Sequence, residues 1–160
     1  MSDSYYRYDI LEPDDDINVA LETLTKEFAP LYTDSWVHEK QAAYGKPYDM
    51  NVPAFSAMWF NKGLKIFMAY DKHNNPVGYL IGMVFRPLPY NATVFQVEDW
   101  YAKGHPEVEA GLFQYLHTAM RFLACDELWL SLGPRDRAPQ LDLTWEEASR
   151  FQQVRYVRRR

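Results

Sequence analysis

Residues 64–85, LKIFMAYDKHNNPVGYLIGMVF, contain two apolar runs separated by a short polar segment. The runs at 64–70 and 77–85 are rich in β-branched and aromatic residues, which favour extended strands. The segment 71–76 between them contains aspartate, asparagine and proline, which are typical of tight turns. The pattern therefore predicts an antiparallel β-hairpin.

A strand, a helix and a further strand are predicted after the hairpin. Residues 93–101 (TVFQVEDWY) and 127–132 (ELWLSL) have the composition of strands, and apolar residues recur at helical spacing from Leu112 to Leu123. Two strands joined through a helix over so short a span are expected to lie parallel, with a right-handed crossover. This order predicts a βαβ unit.

The chain before the hairpin predicts one strand and two helices. Residues 5–11 are rich in β-formers, and the acidic segment 12–16 suits the start of a helix, where carboxylates accept free backbone N–H groups. Apolar residues recur at helical spacing over 17–28, and Pro30 is expected to end that helix. A second helix is predicted over 35–44, because a glycine follows it.

Residues 50–59 concentrate methionine and aromatic side chains in a stretch of ambiguous structure. The apolar part, 52–60 (VPAFSAMWF), has no clear period, so it is interpreted either as a short helix or as an aromatic lid over a site. If these side chains are exposed, they suit a protein partner or a dimer contact. If they are buried, they form a satellite core, which is the interpretation we favour.

The C-terminal part of the chain predicts a loop, a helix and a short strand. Residues 133–142 form a proline-containing loop, and the capping box TWEE at 144–147 predicts a helix to residue 153. Residues 154–157 suit a final short strand. The segment 155–160 is a basic tail.

The composition predicts a single globular domain spanning residues 1–160. The chain is 48% apolar, which excludes wholesale disorder and fibrous repeats. Cys125 is the only cysteine, so an intramolecular disulfide and a multi-cysteine zinc site are excluded. The four histidines lack metal-ligand spacing, and no metal is expected. The N-terminus lacks the parts of a signal peptide and the run 79–85 is too short to cross a bilayer, so we expect a cytoplasmic location.

Charge is unevenly distributed along the chain, whose formal net charge is −5. Residues 1–134 contain ten basic and eighteen acidic residues, whereas residues 135–160 contain seven arginines and four acidic residues. The overall acidity argues against a general nucleic-acid binder. The basic tail is interpreted either as a solvated terminus or as a contact for an acidic partner or a phosphate.

The predicted order of strands and helices resembles the GNAT superfamily of acetyl-CoA-dependent N-acetyltransferases. The most specific local match is residues 67–71 followed by 75–80, where a polar turn precedes a valine, a glycine and an aromatic residue. The segment 10–16, followed by an amphipathic helix, resembles the start of the family. The resemblance implies an α+β fold with a mixed, mainly antiparallel sheet, a βαβ unit and flanking helices.

The resemblance also implies a cofactor site where the fourth strand meets the following helix. In the family, a loop written Arg/Gln-x-x-Gly-x-Gly/Ala directs backbone N–H groups at the pyrophosphate of acetyl-CoA. The corresponding backbone in this chain is formed by Glu109, Ala110, Gly111, Leu112 and Phe113.

Glu98 and Asp99, near the end of the fourth strand, are the candidate catalytic residues that the resemblance implies. A carboxylate at this place in the family acts as general base for the acceptor amine. Because side chains alternate along a strand, at most one of the two is expected to face the site. The alternative interpretation is a solvated strand end.

The sequence departs from the family pattern at its most characteristic positions. Glu109 stands where the loop has arginine or glutamine, and Ala110 and Gly111 are too close together for the usual spacing. Gln152 stands where the family has a tyrosine that protonates the departing thiolate. The alternative role of Glu107 and Glu109 is to stabilise the first turn of a helix that begins near Ala110.

Two functions from different classes follow from these observations. The first is acetyl transfer from acetyl-CoA to an amine, and the alternative is a catalytically inactive GNAT-fold protein that binds another protein. Because the departures disfavour a pyrophosphate, we expect acetyl-CoA to bind weakly or not at all. The chain also loosely resembles small GNAT-like proteins of tailed bacteriophages, which implies a host-directed or virion role.

Overall fold

The computed structural model describes residues 5–45, 51–88 and 91–131, together with 139, 141, 145–147, 149, 150 and 159. A sheet lies between two helical layers. On one face lie a continuous stretch of helix over residues 17–44, called the helical run below, and the helix at 52–60; on the other face lies the single helix at 106–119. The elements in chain order are β1 (Arg7–Ile10), α1 (Ile17–Thr23), a π-helical segment (Leu24–Phe28), α2 (Ala29–Ser35), a second π-helical segment (Trp36–Lys40), α3 (Gln41–Tyr44), α4 (Val52–Phe60), β2 (Leu64–Tyr70), β3 (Pro76–Phe85), β4 (Val94–Tyr101), α5 (Pro106–Ala119) and β5 (Glu127–Leu130).

The five strands of the described residues follow one another in the sheet in chain order, β1 to β5. The first four strands pair antiparallel, and β4 and β5 pair parallel. The predicted hairpin is confirmed, with Phe67 opposite Leu80, and so is the βαβ arrangement of β4, α5 and β5. The α+β class with a mixed, mainly antiparallel sheet is therefore confirmed.

Each face of the sheet buries its own apolar core because strand side chains alternate between faces. The core under the helical run contains the fully buried Phe28, Trp59 and Tyr79. The core under α5 contains Phe67 and Phe95, together with Leu112, Phe113 and Leu116 of the helix. Among the described residues, none of the helices has both the length and the apolar content that crossing a membrane requires.

The prediction that Pro30 ends the first helix is wrong, because helix continues from α1 to α3. The π-helical segment before Pro30 changes the bonding pattern, and the Ala29 N–H donates to the carbonyl of Leu24, five residues back. Pro30 therefore lies in the first turn of α2, where a missing N–H costs little. The predicted stop after α3 is confirmed, since Gly45 caps it with φ +65°.

The ambiguous segment forms helix α4, and its side chains are divided between core and solvent. Trp59 is fully buried and donates its indole N–H to the carbonyl of Leu11 at 2.8 Å. Val52 and Met58 of the same helix are exposed. The satellite-core interpretation therefore describes one side of α4, while Met50 lies outside the described residues.

The predicted C-terminal helix is wrong for the part of it that the structure describes. Residues 145–147, 149 and 150 are not helical, and Thr144, 151–153 and the predicted strand at 154–157 lie outside the described residues. The ring of Trp145 contacts that of His117, with 4.9 Å between centroids, and packs against the α5 core. This tertiary contact outweighs the local capping signal.

The valine-glycine-aromatic motif of β3 reflects close packing between the sheet and α5. A Cβ atom on Gly78 would lie 2.8 Å from Cγ1 of Val108 and 2.9 Å from the carbonyl oxygen of Tyr101. Such distances are shorter than van der Waals contact, so only glycine allows α5 to begin directly over β3. The start of α5 is thereby set at a fixed depth above the sheet.

Gly78→Ala is expected to lower the free energy of unfolding by about 1–3 kcal/mol, because helix and strand must separate to admit the methyl group. Gly63→Ala is the matched control, since a Cβ there would meet only the Met58 carbonyl oxygen at 3.5 Å. Urea denaturation of both variants measures the difference. Equal stabilities would contradict the proposed close packing.

Candidate functional site

A β-bulge in β4 determines which way Glu98 and Asp99, the two candidate catalytic residues, face. Ile81 of β3 pairs with Asp99, but its neighbour Gly82 pairs with Val97, so Glu98 is an extra residue in β4. Val97 faces the α5 core, and the bulge lets Asp99, two positions on, face the helical run instead. Simple strand alternation therefore does not hold here.

Asp99 is buried in a polar cluster beneath the helical run. Its Oδ2 accepts a hydrogen bond from the Tyr79 hydroxyl at 2.6 Å, and its Oδ1 lies 2.6 Å from Nζ of Lys40. The side chains of Lys40 and Asp99 are only 15% and 13% exposed. Lys40 also donates to the hydroxyl of Ser35. Burial raises the pKa of Asp99 above its usual value, although Lys40 and Tyr79 oppose that shift.

A second polar contact joins the same helices to β4. The Tyr101 hydroxyl donates to Oδ2 of Asp34 at 2.7 Å, and Nε2 of His38 lies 3.1 Å from Oδ1. Burial raises the pKa of Tyr101 well above its usual value, and the Asp34 carboxylate acts in the same direction. Sequence reasoning missed Lys40, Tyr79 and Asp34, because no local pattern relates them to positions in β4.

Glu98 stands at the bulge itself and is exposed, in contrast to Asp99. Partial burial raises the pKa of its carboxyl group. The parallel pairing of β4 with β5 ends at Val97 and Leu130, whereas β4 continues along β3 as far as Tyr101. Glu98 therefore lies just beyond the described pairing of β4 with β5.

The other half of the candidate site is the N-terminus of α5, where most backbone donors are bonded within the chain or absent. The His105 N–H donates to the carbonyl of Ala102 at 2.9 Å, and Pro106 has no N–H. The N–H groups of Val108 and Glu109 both donate to the His105 carbonyl, at 3.0 and 3.3 Å. Three N–H groups of this described turn are therefore already bonded to carbonyl oxygens of the chain.

Two carboxylates lie in the first turn of α5, which begins at Pro106 and not near Ala110 as the sequence suggested. Glu107 accepts a hydrogen bond from the Tyr6 hydroxyl at 3.1 Å, and its own backbone N–H and this hydroxyl lower the pKa of its carboxyl group. Glu109 is buried and accepts the indole N–H of Trp100 at 2.9 Å.

The remaining residues proposed for the cofactor backbone lie in the second turn of α5. Leu112 and Phe113 are fully buried in the core beneath the helix, and Ala110 is exposed. Gly111 is covered by Tyr8, since a Cβ atom on this glycine would lie 1.8 Å from the tyrosine hydroxyl oxygen.

Lys103, the nearest lysine before α5, does not replace the missing cation. It lines a cavity of about 250 Å³ together with Lys26, Glu27 and Asp34 of the helical run. Gln152, where the family has its tyrosine, lies outside the described residues. Among the side chains that the structure describes, no three of the His, Cys, Asp or Glu type converge as metal ligands would.

No family model and no curated protein sequence matches the chain, but solved structures do. An aminoglycoside acetyltransferase from an uncultured soil metagenomic sample, in complex with trehalose, is 10% identical, with a TM-score of 0.59 over 82% of this chain and 80% of that one. The fold is the GNAT fold. A ribosomal-protein-alanine N-acetyltransferase from Brucella melitensis biovar Abortus 2308 is 17% identical, with a TM-score of 0.57 and 82% of each chain covered.

A third solved structure of the GNAT fold contains the cofactor. It is a predicted acetyltransferase from Clostridium acetobutylicum with acetyl-CoA, 11% identical, with a TM-score of 0.57 over 91% of this chain and 96% of that one. In the present chain, the α5 N-terminus fits a pyrophosphate group poorly, because three of its N–H groups donate to carbonyls of the chain and Glu107 and Glu109 are acidic.

Lys40→Met is expected to lower the free energy of unfolding by about 3–5 kcal/mol, because it leaves Asp99 buried without its cation. An acid whose pKa is raised in the folded state contributes stability at low pH that is lost as the pH rises through that pKa. The destabilisation should therefore be smaller near pH 4 than near pH 7, as measured by urea denaturation.

Lys72→Met is the matched control, because Lys72 lies in the exposed β2–β3 turn. The double variant Lys40→Met/Asp99→Leu is expected to recover part of the stability, since it removes the buried charge as well. A loss in Lys40→Met no larger than in Lys72→Met, or one independent of pH, would count against the ion pair.

Proposed function

We propose that this chain is a GNAT-fold protein that acts by binding another protein and not by transferring an acetyl group. The observation that carries the proposal is the engaged first turn of α5. Backbone N–H groups at such a turn hold the anionic part of a ligand. In this chain the carbonyls of Ala102 and His105 already accept three of them, and Glu107 adds a carboxylate to the same turn.

The acidic side chains in this turn also repel a phosphate group. Each carboxylate about 4 Å from a phosphate charge costs about 1 kcal/mol in water and about 4 kcal/mol at the effective dielectric of a protein surface. Glu109 is buried and bonded to Trp100, so it does not turn away from the helix without breaking that bond. The dipole of α5 is therefore already neutralised by the chain itself.

Asp99 is better suited to anchoring than to proton transfer. One carboxylate oxygen is paired with Lys40 and the other accepts from Tyr79, and little of the group is exposed. To act as a general base, the carboxylate would have to exchange these partners for a substrate amine. Its contacts support a structural role, in which it holds the helical run against β4.

A surface for a protein partner is available between α1 and α4. A groove of about 520 Å³ lies there, and its lining is mainly apolar, with Ile17, Leu21 and Val52 exposed. The exposed acidic segment 14–16 lies directly before α1. Charge complementarity favours a partner segment that presents apolar side chains flanked by lysine or arginine.

Acetyl-CoA is expected to leave the melting temperature of the wild-type chain unchanged. A ligand present at about 100 times its Kd would raise the stability by about 2.7 kcal/mol, a change that is readily measured. Differential scanning fluorimetry measures the melting temperature, and calorimetric titration then measures binding directly. A rise of several degrees, confirmed by a saturable heat of binding, would overturn the proposal.

Acetyl transfer to an amine is the second candidate function, and the bulge at Glu98 favours it. This exposed carboxylate lies just beyond the described pairing of β4 with β5, and partial burial raises the pKa of its carboxyl group, which makes it a stronger base. An aminoglycoside acetyltransferase with the same fold binds sisomicin, which is an amine. In this case Glu98 would be the base.

Release of free CoA thiol from acetyl-CoA and a panel of amines distinguishes the two functions. The binding-protein proposal predicts no turnover by the wild-type chain. The transferase alternative predicts turnover that Glu98→Gln lowers by about 10²–10⁴-fold in kcat, because the glutamine amide does not take a proton. Glu127→Gln is a control, because that glutamate lies on β5 at the far end of the β4–β5 pairing.

A further inference from the structure

We propose that the groove between α1 and α4 receives the C-terminal segment 154–160 (VRYVRRR) of a second copy of this chain, so that two copies exchange these segments. The inference rests on the proposed function, in which this groove binds protein, and it names the occupant. It also gives a role to the arginines at the end of the chain. Two copies related by a twofold axis fill both grooves and leave neither C-terminal segment unbound.

The first argument is the apolar surface that the groove leaves uncovered. Ile17 and Leu21 of α1 are 52% and 37% exposed, and Val52 of α4 is 51% exposed. No charged side chain of the described residues lines the groove. Covering such a surface with another apolar segment is favourable, because it removes the surface from water.

The second argument is the pattern of the C-terminal segment. Residues 154–157 contain two valines and a tyrosine together with Arg155, and three arginines follow at 158–160. Within this segment the structure describes Arg159, which is exposed. In an extended segment, Val154 and Tyr156 lie on one side and Arg155 on the other, because side chains alternate. One side therefore suits the apolar groove while the arginine remains in water.

The third argument is length. Helix α1 has seven residues and α4 has nine, so at a rise of 1.5 Å per residue they are about 10 and 14 Å long. Four extended residues span at most about 13–14 Å. Residues 154–157 therefore match the groove in length, and the arginines at 158–160 extend beyond its end.

The fourth argument is the charge next to the groove. Asp14, Asp15 and Asp16 are all exposed and directly precede Ile17, which lines the groove. Asp14 and Asp16 each accept a backbone N–H at 2.9 Å, and these bonds hold the acidic segment at the start of α1. Three carboxylates beside an apolar groove are complementary to three arginines that follow an apolar segment.

A second copy is favoured over the same copy because of where the chain lies before this segment. Trp145 packs against the α5 core, on the face of the sheet opposite to α1 and α4. Residues 145–154 span at most about 32 Å when fully extended. Glu147 and Arg150 are paired at 2.7 and 3.0 Å, which excludes full extension there, because residues three apart lie on opposite sides of an extended chain.

The remaining length would have to pass around an edge of the sheet and across two layers that are each about 10 Å thick. The same copy therefore reaches its own groove only with difficulty. A second copy is free of this constraint, since its C-terminal segment approaches from outside.

The experiment is multi-angle light scattering of the full chain over a range of concentrations. The wild-type chain is expected to pass from 18.9 kDa to twice that mass as its concentration rises. At 1 M salt the dimer should weaken, because charges are then screened beyond about 3 Å. Deleting residues 158–160 should weaken the dimer and flatten this salt dependence.

Ile17→Lys is expected to raise the Kd of the dimer at least about tenfold, because it removes an apolar contact and adds a charge that repels the arginines. Val19→Lys is the matched control, since Val19 lies in the same turn of α1, is 44% exposed and does not line the groove. It should leave the Kd unchanged. Tyr156→Ser changes the other partner of the contact and should also raise the Kd.

A mixing experiment identifies the exchange between copies. A fluorescently labelled Ile17→Lys chain has an intact C-terminal segment, and a chain that lacks residues 154–160 has an intact groove. The two are expected to bind each other more tightly than either binds itself. A mixed pair that is no tighter than the two self-pairs would overturn the inference.

A wild-type chain that remains monomeric at every concentration would also overturn the inference, and would leave the groove to the chain's own C-terminal segment or to a different protein. Equal effects of Ile17→Lys and Val19→Lys would count against the groove as the contact. Turnover of acetyl-CoA would refute the proposed function and leave the dimer standing. A monomer that does not bind acetyl-CoA would refute only the exchange of C-terminal segments.

Discussion

The buried ion pair between Lys40 and Asp99 joins the two halves of this molecule. Lys40 ends the second π-helical segment, and Asp99 is turned towards it by the bulge in β4. Because both side chains are removed from water, each stabilises the other, and the loss of one leaves an uncompensated charge. The Tyr79 hydroxyl shares the carboxylate, so the pair also links the central strand β3 to the helical run.

The pair has a direct consequence for chemistry. The bulge at Glu98 directs Asp99 into a cluster where its acceptor atoms are used. After β4, the helix α5 begins with several N–H groups that donate to carbonyls of the chain itself. The chain thus has the GNAT fold while these polar groups bond within the chain, and a fold by itself does not determine an activity.

Much of the fold was predictable because its signals are local. The hairpin 64–85 and the βαβ unit follow from composition, turn residues and spacing, which depend on neighbours in the chain. The predictions for Pro30 and for the C-terminal helix failed, because an unusual backbone or distant contacts prevailed there. A π-helical segment accommodates Pro30, so the helix continues past it. Trp145 packs against the α5 core and is not helical.

For the site, the sequence by itself determined that two acidic residues, Glu107 and Glu109, follow the fourth strand where the helix begins. Only the tertiary structure decided what those carboxylates bind. The Tyr6 hydroxyl contacts Glu107, which is 101 residues away in the chain. Asp99 faces Lys40 because of a β-bulge that no spacing pattern in the sequence predicts. The physical reason is that a hydrogen bond requires two groups within about 3 Å, and for residues far apart in the chain only packing sets that distance.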